Sequence, residues 1–164
     1  MNMGGKRVLV DTCVWVDSYC VDHPAGASAK RFIAEAYAQG ATLLYAVHAA
    51  KDVLFVLEAE FKRAARHELG SLDEGTAQAA KSAALGCMRS MCELATAVGA
   101  DGSDLWLADK YLGIHRDFED NLVLSACRRA NADFLVTNDR ALIAHATVVA
   151  KTPDEMLGLM SLDI

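Results

Sequence analysis

The sequence contains little proline, few aromatic residues and no long apolar run. Of its 164 residues, 2 are proline and 7% are aromatic, a composition that excludes collagen-like and proline-rich linker proteins. No apolar run approaches the roughly 18 residues of a membrane span. The apolar run Val8–Val10 near the N-terminus is also too short for the core of a signal peptide. We therefore expect no association with a membrane.

Paired cysteines and an excess of basic residues are missing as well. The 5 cysteines are odd in number and none forms a CxxC pair, so neither a disulfide framework nor a zinc site is expected. There are 16 basic and 22 acidic residues, and the net charge is −6. This charge argues against a polybasic binder of nucleic acid, although it permits a local basic patch. We expect a soluble protein of a reducing cytoplasm.

What the sequence does contain is the pattern of an α/β protein. Apolar residues, many of them alanine, make up 53% of the chain, which favours a helix-rich fold with closely packed elements. Predicted strands alternate with predicted helices, as in a parallel sheet covered on both faces. We predict one domain over residues 1–164, with three α/β/α layers around a parallel sheet of four to five strands.

The predicted elements follow from hydrophobic periodicity and from glycine, proline and capping signals. Strands are predicted at 7–11, 41–47, 93–98, 132–137 and 147–150. Helices are predicted at 27–39, 49–67, 72–91, 103–111 and 118–130, and the sequence TPDE at 152–155 predicts a capping box at the start of one more. Ligands of such sheets bind at the carboxyl ends of the strands.

Three aspartates fall near those carboxyl ends. Asp11 ends the first predicted strand, Asp139 follows the strand at 132–137, and Asp120 lies in the first turn of the helix before it. Carboxylates at the ends of buried strands are costly to desolvate. Because Mg²⁺ and Mn²⁺ prefer oxygen ligands, three such acids in one crevice predict a divalent-cation site suited to phosphodiester hydrolysis.

Each of these acids also has an ordinary structural explanation. Asp11 fits an Asx cap, Asp120 fits the acid preference of a helix N-terminus, and Asp139 fits a turn. Their occurrence together favours a cation site over three separate caps. A receiver-like phosphoacceptor domain is disfavoured, because the acidic pair and the late lysine that it requires are missing.

Four stretches of the chain resemble signatures of PIN-domain ribonucleases, the family of VapC-type toxins. Residues 10–15 (VDTCVW) resemble the opening DTNVWLD-like motif. Residues 117–122 (DFEDNL) and 132–139 (ADFLVTND) resemble the signature DFEDAL…ADYIVTRD, and residues 152–157 (TPDEML) resemble the ending TPEEFL. The stretches span nearly the whole chain in the family's order. The resemblance implies a PIN-like fold and a divalent-metal-dependent endoribonuclease.

The resemblance also implies a catalytic set of four carboxylates. Three of them would hold the Mg²⁺ or Mn²⁺ ion: Asp11, Asp120 and Asp139. The fourth, Asp52, stands where the family has an acid, usually Glu, early in the helix after the second strand. Aspartate reaches one methylene less far than glutamate. Glu58 and Glu60 are rival candidates for this position, about two helical turns farther along.

Other residues receive supporting roles from the same resemblance. Those expected to support the carboxylates are Thr12, Asp117 and Thr137. Those expected to contact RNA phosphates are Lys51 and Arg140, although solvated surface positions explain both at least as well. Cys13 stands where the family commonly has Asn, so an amide that could hold the first aspartate is replaced by a thiol.

Three more side chains invite functional interpretations that are weaker than structural ones. His48, at a strand-to-helix junction, fits a capping or packing role better than that of a catalytic base. Trp15 and Trp106 could stack a base, but packing or a subunit interface explains them better.

The family further implies partners: a single-stranded or looped RNA substrate, a cognate antitoxin that blocks the acidic cavity, and a second copy of the chain in a homodimer. Together these imply the toxin of a toxin–antitoxin pair. Because Asp52 and Cys13 depart from the family pattern, the alternative is a PIN-like module that binds RNA or protein with weak or absent nuclease activity.

Overall fold

Five strands and eight α-helices build the structure, a computed structural model that describes residues 1–163. The strands are β1 (Arg7–Val10), β2 (Thr42–Ala46), β3 (Thr96–Val98), β4 (Phe134–Val136) and β5 (Val149–Lys151). The helices are α1 (Thr12–Tyr19), α2 (Gly26–Ala38), α3 (Ala49–Leu69), α4 (Glu74–Leu94), α5 (Gly102–Tyr111), α6 (Phe118–Arg129), α7 (Arg140–His145) and α8 (Pro153–Met160), followed by a 3₁₀ turn at Ser161–Asp163. Within the described residues, no helix has the length and apolar character needed to cross a membrane.

The strands form one parallel sheet in the order β3-β2-β1-β4-β5. In the register of the central strand, Val8 lies opposite Leu43 on one side and Phe134 on the other. Val8, Leu9 and Val10 have no exposed surface, as expected for a parallel strand that is covered on both faces by helices. The predicted three-layer α/β/α fold is confirmed, and the sheet has the upper number of strands in the predicted range.

Alternation along β1 divides the core between the two faces of the sheet. Successive side chains of a strand point to opposite faces. Val8 and Val10 pack into a cluster with Trp15 and Phe32, whereas Leu9 packs into the opposite cluster. The second cluster also contains Leu44, Leu124, Leu135 and Leu142.

Local sequence signals explain several helix ends. The predicted capping box is present at the start of α8: the Thr152 hydroxyl accepts from the Glu155 amide at 3.2 Å, and the Glu155 carboxylate accepts from the Thr152 amide at 2.9 Å. At the other end of α3 stands Gly70, with a φ of 73°. That left-handed conformation is unstrained for glycine, which therefore ends the helix.

Two helices and several element boundaries differ from the sequence prediction. Helices α1 and α7 were not predicted. Helix α1 has three consecutive buried residues, 14–16, and so lacks a polar face, and α7 has only six residues. Neither offers a helical period that a sequence pattern could reveal. The predicted strand at 93–98 begins only at Thr96, because α4 continues to Leu94.

The strand order creates a crevice beside β1. From β1 the chain adds β2 and β3 on one side, then returns to add β4 and β5 on the other. The helices that follow β1 and β4 therefore leave the sheet on either side of this reversal point. Open α/β sheets bind ligands at such a switch point, outside the carboxyl ends of the strands. Asp11 follows β1 and Asp139 comes after β4. Because these two strands are neighbours, both residues lie at the same carboxyl edge of the sheet.

Candidate active site

A cavity of about 810 Å³ opens at the carboxyl edge of the sheet. All four carboxylates of the predicted catalytic set line it: Asp11, Asp52, Asp120 and Asp139. They come from four different parts of the chain, namely the ends of β1 and β4 and the first turns of α3 and α6. The fold thus brings into one cavity residues that are up to 128 positions apart.

Asp11 is held by donors from two strand ends. Its Oδ1 accepts from the Thr12 amide at 2.7 Å, and its Oδ2 accepts from the Thr137 hydroxyl at 2.7 Å. The Thr137 oxygen in turn accepts from the Asp139 amide at 3.0 Å. Thr137 has no exposed surface, so its hydroxyl is a buried link between the first and the last predicted acid.

Asp139 caps helix α7. Its Oδ1 accepts from the amides of Ala141 and Leu142, at 2.7 and 3.0 Å. These two bonds satisfy amides in the first turn of α7 that have no acceptor within the helix. The turn role considered from the sequence is therefore present, and Asp139 lines the cavity at the same time.

Asp120 lies in the first turn of α6 and contacts a histidine that sequence reasoning missed. His115 Nε2 lies 2.7 Å from Asp120 Oδ2. Burial raises the pKa of Asp120, the hydrogen bond with His115 opposes this rise, and the negative charges of Asp117, Asp139 and Asp11 add to it. The acids around the cavity therefore lie close enough to one another for their charges to interact.

Asp52 reaches the cavity from the first turn of α3. Its Oδ1 lies 3.2 Å from Lys51 Nζ, and its side chain is 28% exposed. Its two rivals for this position pair with basic residues on their own helix: Glu58 with Lys62, and Glu60 with Arg63. Of these three acids on α3, it is Asp52 that lines the cavity.

The remaining predicted residues divide between the cavity and its surroundings. Thr12 and Lys51 line the cavity. Asp117 caps α6 by accepting from the amides of Glu119 and Asp120. Arg140 lies outside the cavity lining and its guanidinium is 3.9 Å from Glu155.

Cys13 occupies the position where an amide was expected beside the first aspartate. Its Sγ donates to Asp11 Oδ2 at 3.3 Å, accepts from the Asn138 amide at 3.4 Å, and lies 3.5 Å from the Thr137 hydroxyl. Burial and the charge of Asp11 raise the pKa of this thiol to about 12. Cys13 is therefore a neutral donor that replaces the missing amide in holding Asp11.

Several further polar residues line the cavity or support it. Asp17 lines it from α1 and is bound by His23 at 2.8 Å and by the Asn138 amide group at 2.7 Å. Asp17 was overlooked because α1 was not predicted: the helix brings Asp17 within one turn of Cys13, on the same face. The ring of His115 stacks on His145, with centroids 5.1 Å apart. No sequence spacing signals that contact.

His48 faces the acids without capping α3 through its side chain. Burial lowers its pKa, although the charges of Asp52, Glu119 and Asp11 oppose the shift. The imidazole is therefore neutral near pH 7, so one ring nitrogen can donate a hydrogen bond and the other can accept one. Of the two roles expected from the sequence, capping is not observed. His48 instead packs at the wall of the cavity.

The donor chemistry of the cavity fits a hard divalent cation. The acids supply oxygen ligands, which Mg²⁺ and Mn²⁺ prefer, and a cation would relieve the mutual repulsion that contributes to the raised pKa of Asp120. Within residues 1–163, no three His, Cys, Asp or Glu side chains stand close enough together to ligate one ion directly. Mg²⁺ commonly keeps several waters and takes one or two carboxylates, which suits acids spread around a cavity.

Solved structures share this fold. VapC20 from Mycobacterium tuberculosis, a toxin that cleaves the Sarcin–Ricin loop, superposes with a TM-score of 0.62 at 15% identity, covering 87% of this chain and 97% of its own. VapBC2 from Rickettsia felis, bound to promoter DNA, gives 0.62 at 13% identity, with 89% and 98% covered. PAE2754 from Pyrobaculum aerophilum gives 0.59 at 16% identity, with 95% and 90% covered.

The sequence matches a family profile but no individual curated protein. The sequence profile of the PIN domain matches residues 7–141, which include every strand except β5 and all four carboxylates of the cavity. This match covers most of the chain, and it agrees with the resemblance of the motifs and with the fold of the solved structures. The chain therefore belongs to the PIN-domain family.

Proposed function

We propose that this protein is a divalent-metal-dependent endoribonuclease that hydrolyses RNA phosphodiester bonds. The observation that carries the proposal is the set of four carboxylates around one cavity at the switch point of the sheet: Asp11, Asp52, Asp120 and Asp139. Membership of the PIN-domain family supports it. A cluster of acids without a cation would repel the phosphates of RNA, so the same acids argue for Mg²⁺ or Mn²⁺.

The residues of the cavity divide the task. Asp11, Asp120 and Asp139 would hold the cation, directly or through water, and Asp52 would complete the set or orient the attacking water. When bound, the cation supplies charge stabilisation to the phosphate oxygens and activates water. Thr137 and Cys13 fix Asp11 by hydrogen bonds.

Two basic residues are candidates for contacts with RNA phosphates, Lys51 and Arg140. Lys51 is at the cavity and its side chain is 74% exposed, so we assign it a contact with phosphate. Arg140 lies beside Glu155, outside the cavity lining. A phosphate contact of Arg140 therefore requires the ion pair with Glu155 to open, and we propose it for RNA that extends beyond the cavity.

We further propose that the protein is the toxin of a toxin–antitoxin pair, acting in the cytoplasm as a homodimer until a cognate antitoxin blocks the acidic cavity. Two solved structures with the same fold support this proposal: a VapC toxin and a VapBC pair. Co-purification of the chain with the product of an adjacent small reading frame tests the pairing, and light scattering tests the dimer.

The decisive test of the nuclease is RNA cleavage in Mg²⁺ or Mn²⁺. We expect Asp11→Ala and Asp120→Asn to lower the rate by about 100-fold or more, since each removes a negative charge that would hold the cation at the reacting phosphate. Asp109→Asn is the matched control, because Asp109 is an exposed acid on α5 that does not line the cavity. Equal rates for the wild type and all three variants would contradict the proposal.

The second candidate is a PIN-like module that binds RNA or protein with weak or absent nuclease activity. It is favoured by the ion pair between Asp52 and Lys51 at 3.2 Å, which already neutralises the acid that departs from the family pattern. Calorimetric titration with Mn²⁺ separates the two functions. Binding of RNA or a protein partner without detectable binding of Mn²⁺ would favour the module.

A further inference from the structure

An aromatic side chain lies exposed at the wall of the acidic cavity. Phe55, on α3, lines the cavity and is 72% exposed. Beside it Val56, also at the cavity, is 41% exposed. Single exposed apolar residues are common on protein surfaces, but an exposed ring at the wall of a concave site offers a ligand a flat apolar surface to pack against.

The position of Phe55 on α3 relates it to the charged residues of the site. Phe55 follows Lys51 by four residues and Asp52 by three, so all three lie on one face of the helix. The rise from Lys51 to Phe55 is about 6 Å along the axis. Moving outward from the strand ends, the wall therefore presents first a cation and an acid, and then an apolar ring.

This order matches the chemistry of one nucleotide. The phosphate of a nucleotide is separated from its flat, aromatic base by one sugar. A phosphate at the acids and Lys51 leaves the base one sugar away, at the level of Phe55. We propose that Phe55 stacks the base of an unpaired nucleotide next to the scissile phosphate, an assignment that rests on the proposed nuclease function and specifies its substrate class.

The base must be unpaired, because the faces of a base inside a duplex are already covered by its neighbours. Stacking on an aromatic side chain is how proteins hold splayed-out bases of single strands and loops. The two tryptophans considered from the sequence do not fill this role. Trp15 has no exposed surface and donates to the Val10 carbonyl, and Trp106 is 62% exposed but lies outside the cavity lining.

The test measures binding in Ca²⁺, a divalent ion chosen so that binding is scored apart from cleavage. The probes are a short unstructured RNA with a fluorescent end label and a strand of the same length that lacks bases. We expect Phe55→Ala to weaken binding of the RNA about tenfold and to leave binding of the abasic strand unchanged. Phe55→Trp keeps an aromatic ring at this position and should therefore retain RNA binding. The fluorescence of the added indole should be quenched by the RNA and not by the abasic strand.

Two controls separate stacking from structural effects. Trp106→Ala removes an exposed aromatic ring outside the cavity and should leave the binding of both strands unchanged. Thermal unfolding should show that Phe55→Ala is as stable as the wild type, since most of this ring is exposed. Light scattering of each variant reports whether Phe55 belongs to a contact between copies.

The inference is overturned if Phe55→Ala weakens both strands equally or neither strand, if wild type binds no RNA, or if the substitution changes the oligomeric mass instead of RNA affinity. Failure of the nuclease proposal gives a different result. Cleavage would then be absent in Mg²⁺ and Mn²⁺, while the difference between RNA and abasic strand at Phe55 persists in Ca²⁺.

Discussion

Single hydrogen bonds organise the acids of the cavity. Thr137 is the clearest case, because its buried hydroxyl donates to Asp11 and accepts from the amide of Asp139. Cys13 adds a thiol donor to the same carboxylate oxygen of Asp11. With a pKa of about 12, this thiol stays neutral near pH 7. A neutral thiol can donate a hydrogen bond to the Asp11 carboxylate. A thiolate has no proton to donate and would repel the carboxylate.

We predict that Thr137→Val destabilises the protein and impairs catalysis. Valine keeps the shape of threonine, but it removes the hydroxyl that donates to Asp11 Oδ2 and leaves the Asp139 amide without its acceptor. The expected cost is about 1–3 kcal/mol in the free energy of unfolding and about 10- to 100-fold in the rate of RNA cleavage. Urea unfolding and cleavage assays measure the two quantities.

Thr137→Ser is the matched control, because it keeps the hydroxyl. It should retain most of the cleavage rate of the wild type. A valine variant as active and as stable as the serine variant would show that the link between Asp11 and Asp139 has no role.

At the scale of elements, an ion pair between the buried Asp104 and the exposed Arg129 joins α5 to α6. Asp104 is 5% exposed. It accepts from Ser125 Oγ at 2.8 Å and from Arg129 Nε at 2.9 Å. The hydrogen bond from Arg129 lowers the pKa of Asp104 to about 2, against the effect of burial. Since Asp120 begins α6, the contact between these helices also positions one acid of the cavity.

We predict that Asp104→Asn lowers the free energy of unfolding at neutral pH by about 1–3 kcal/mol. The pKa of Asp104 is lower in the folded than in the unfolded state. Its contribution to stability is therefore present above pH 4 or so, and it is lost as the pH falls from about 4 toward 2. Urea unfolding across this range should show the wild type and the variant converging.

Asp109→Asn on the same helix provides the reference, because Asp109 is exposed. It should unfold like the wild type at every pH. A constant difference between Asp104→Asn and wild type down to pH 2 would contradict a contribution from the ionised carboxylate.

For the whole molecule, the cation site proposed in the acidic cavity would link folding to cation binding. Unfolding disperses the four carboxylates along the chain, so a cation that needs them together binds the folded state alone. At a free concentration 100 times its Kd, such a cation adds about 2.7 kcal/mol to the free energy of unfolding. We predict that Mn²⁺ raises the melting temperature of the wild type.

Differential scanning fluorimetry measures this shift. Asp120→Asn should lose most of the shift, whereas Asp109→Asn should keep it. An equal shift in all three proteins would place cation binding elsewhere on the molecule.

Much of the fold was predictable, because its signals are local. Apolar runs, glycine stops and capping patterns act over a few neighbouring residues, and they located β1, β2, β4 and the longer helices. Helix α1 escaped because a buried helix without a polar face has no period. With α1 unpredicted, Asp17 could not be assigned to the cavity. Asp11 and Asp139 were found by their positions after strands and Asp120 by its place in the first turn of a helix. The family resemblance added Asp52.

The sequence by itself determined the alternation of strands and helices, the order of the acids along the chain, and the family signatures that contain them. Only the tertiary structure decided that Trp15 is buried and Phe55 exposed, that Thr137 joins Asp11 to Asp139, and that Cys13 supplies the donor expected from an amide. The physical reason is distance along the chain. Thr137 and Asp11 are 126 residues apart, and only the parallel pairing of β1 with β4 brings their strand ends within hydrogen-bonding range.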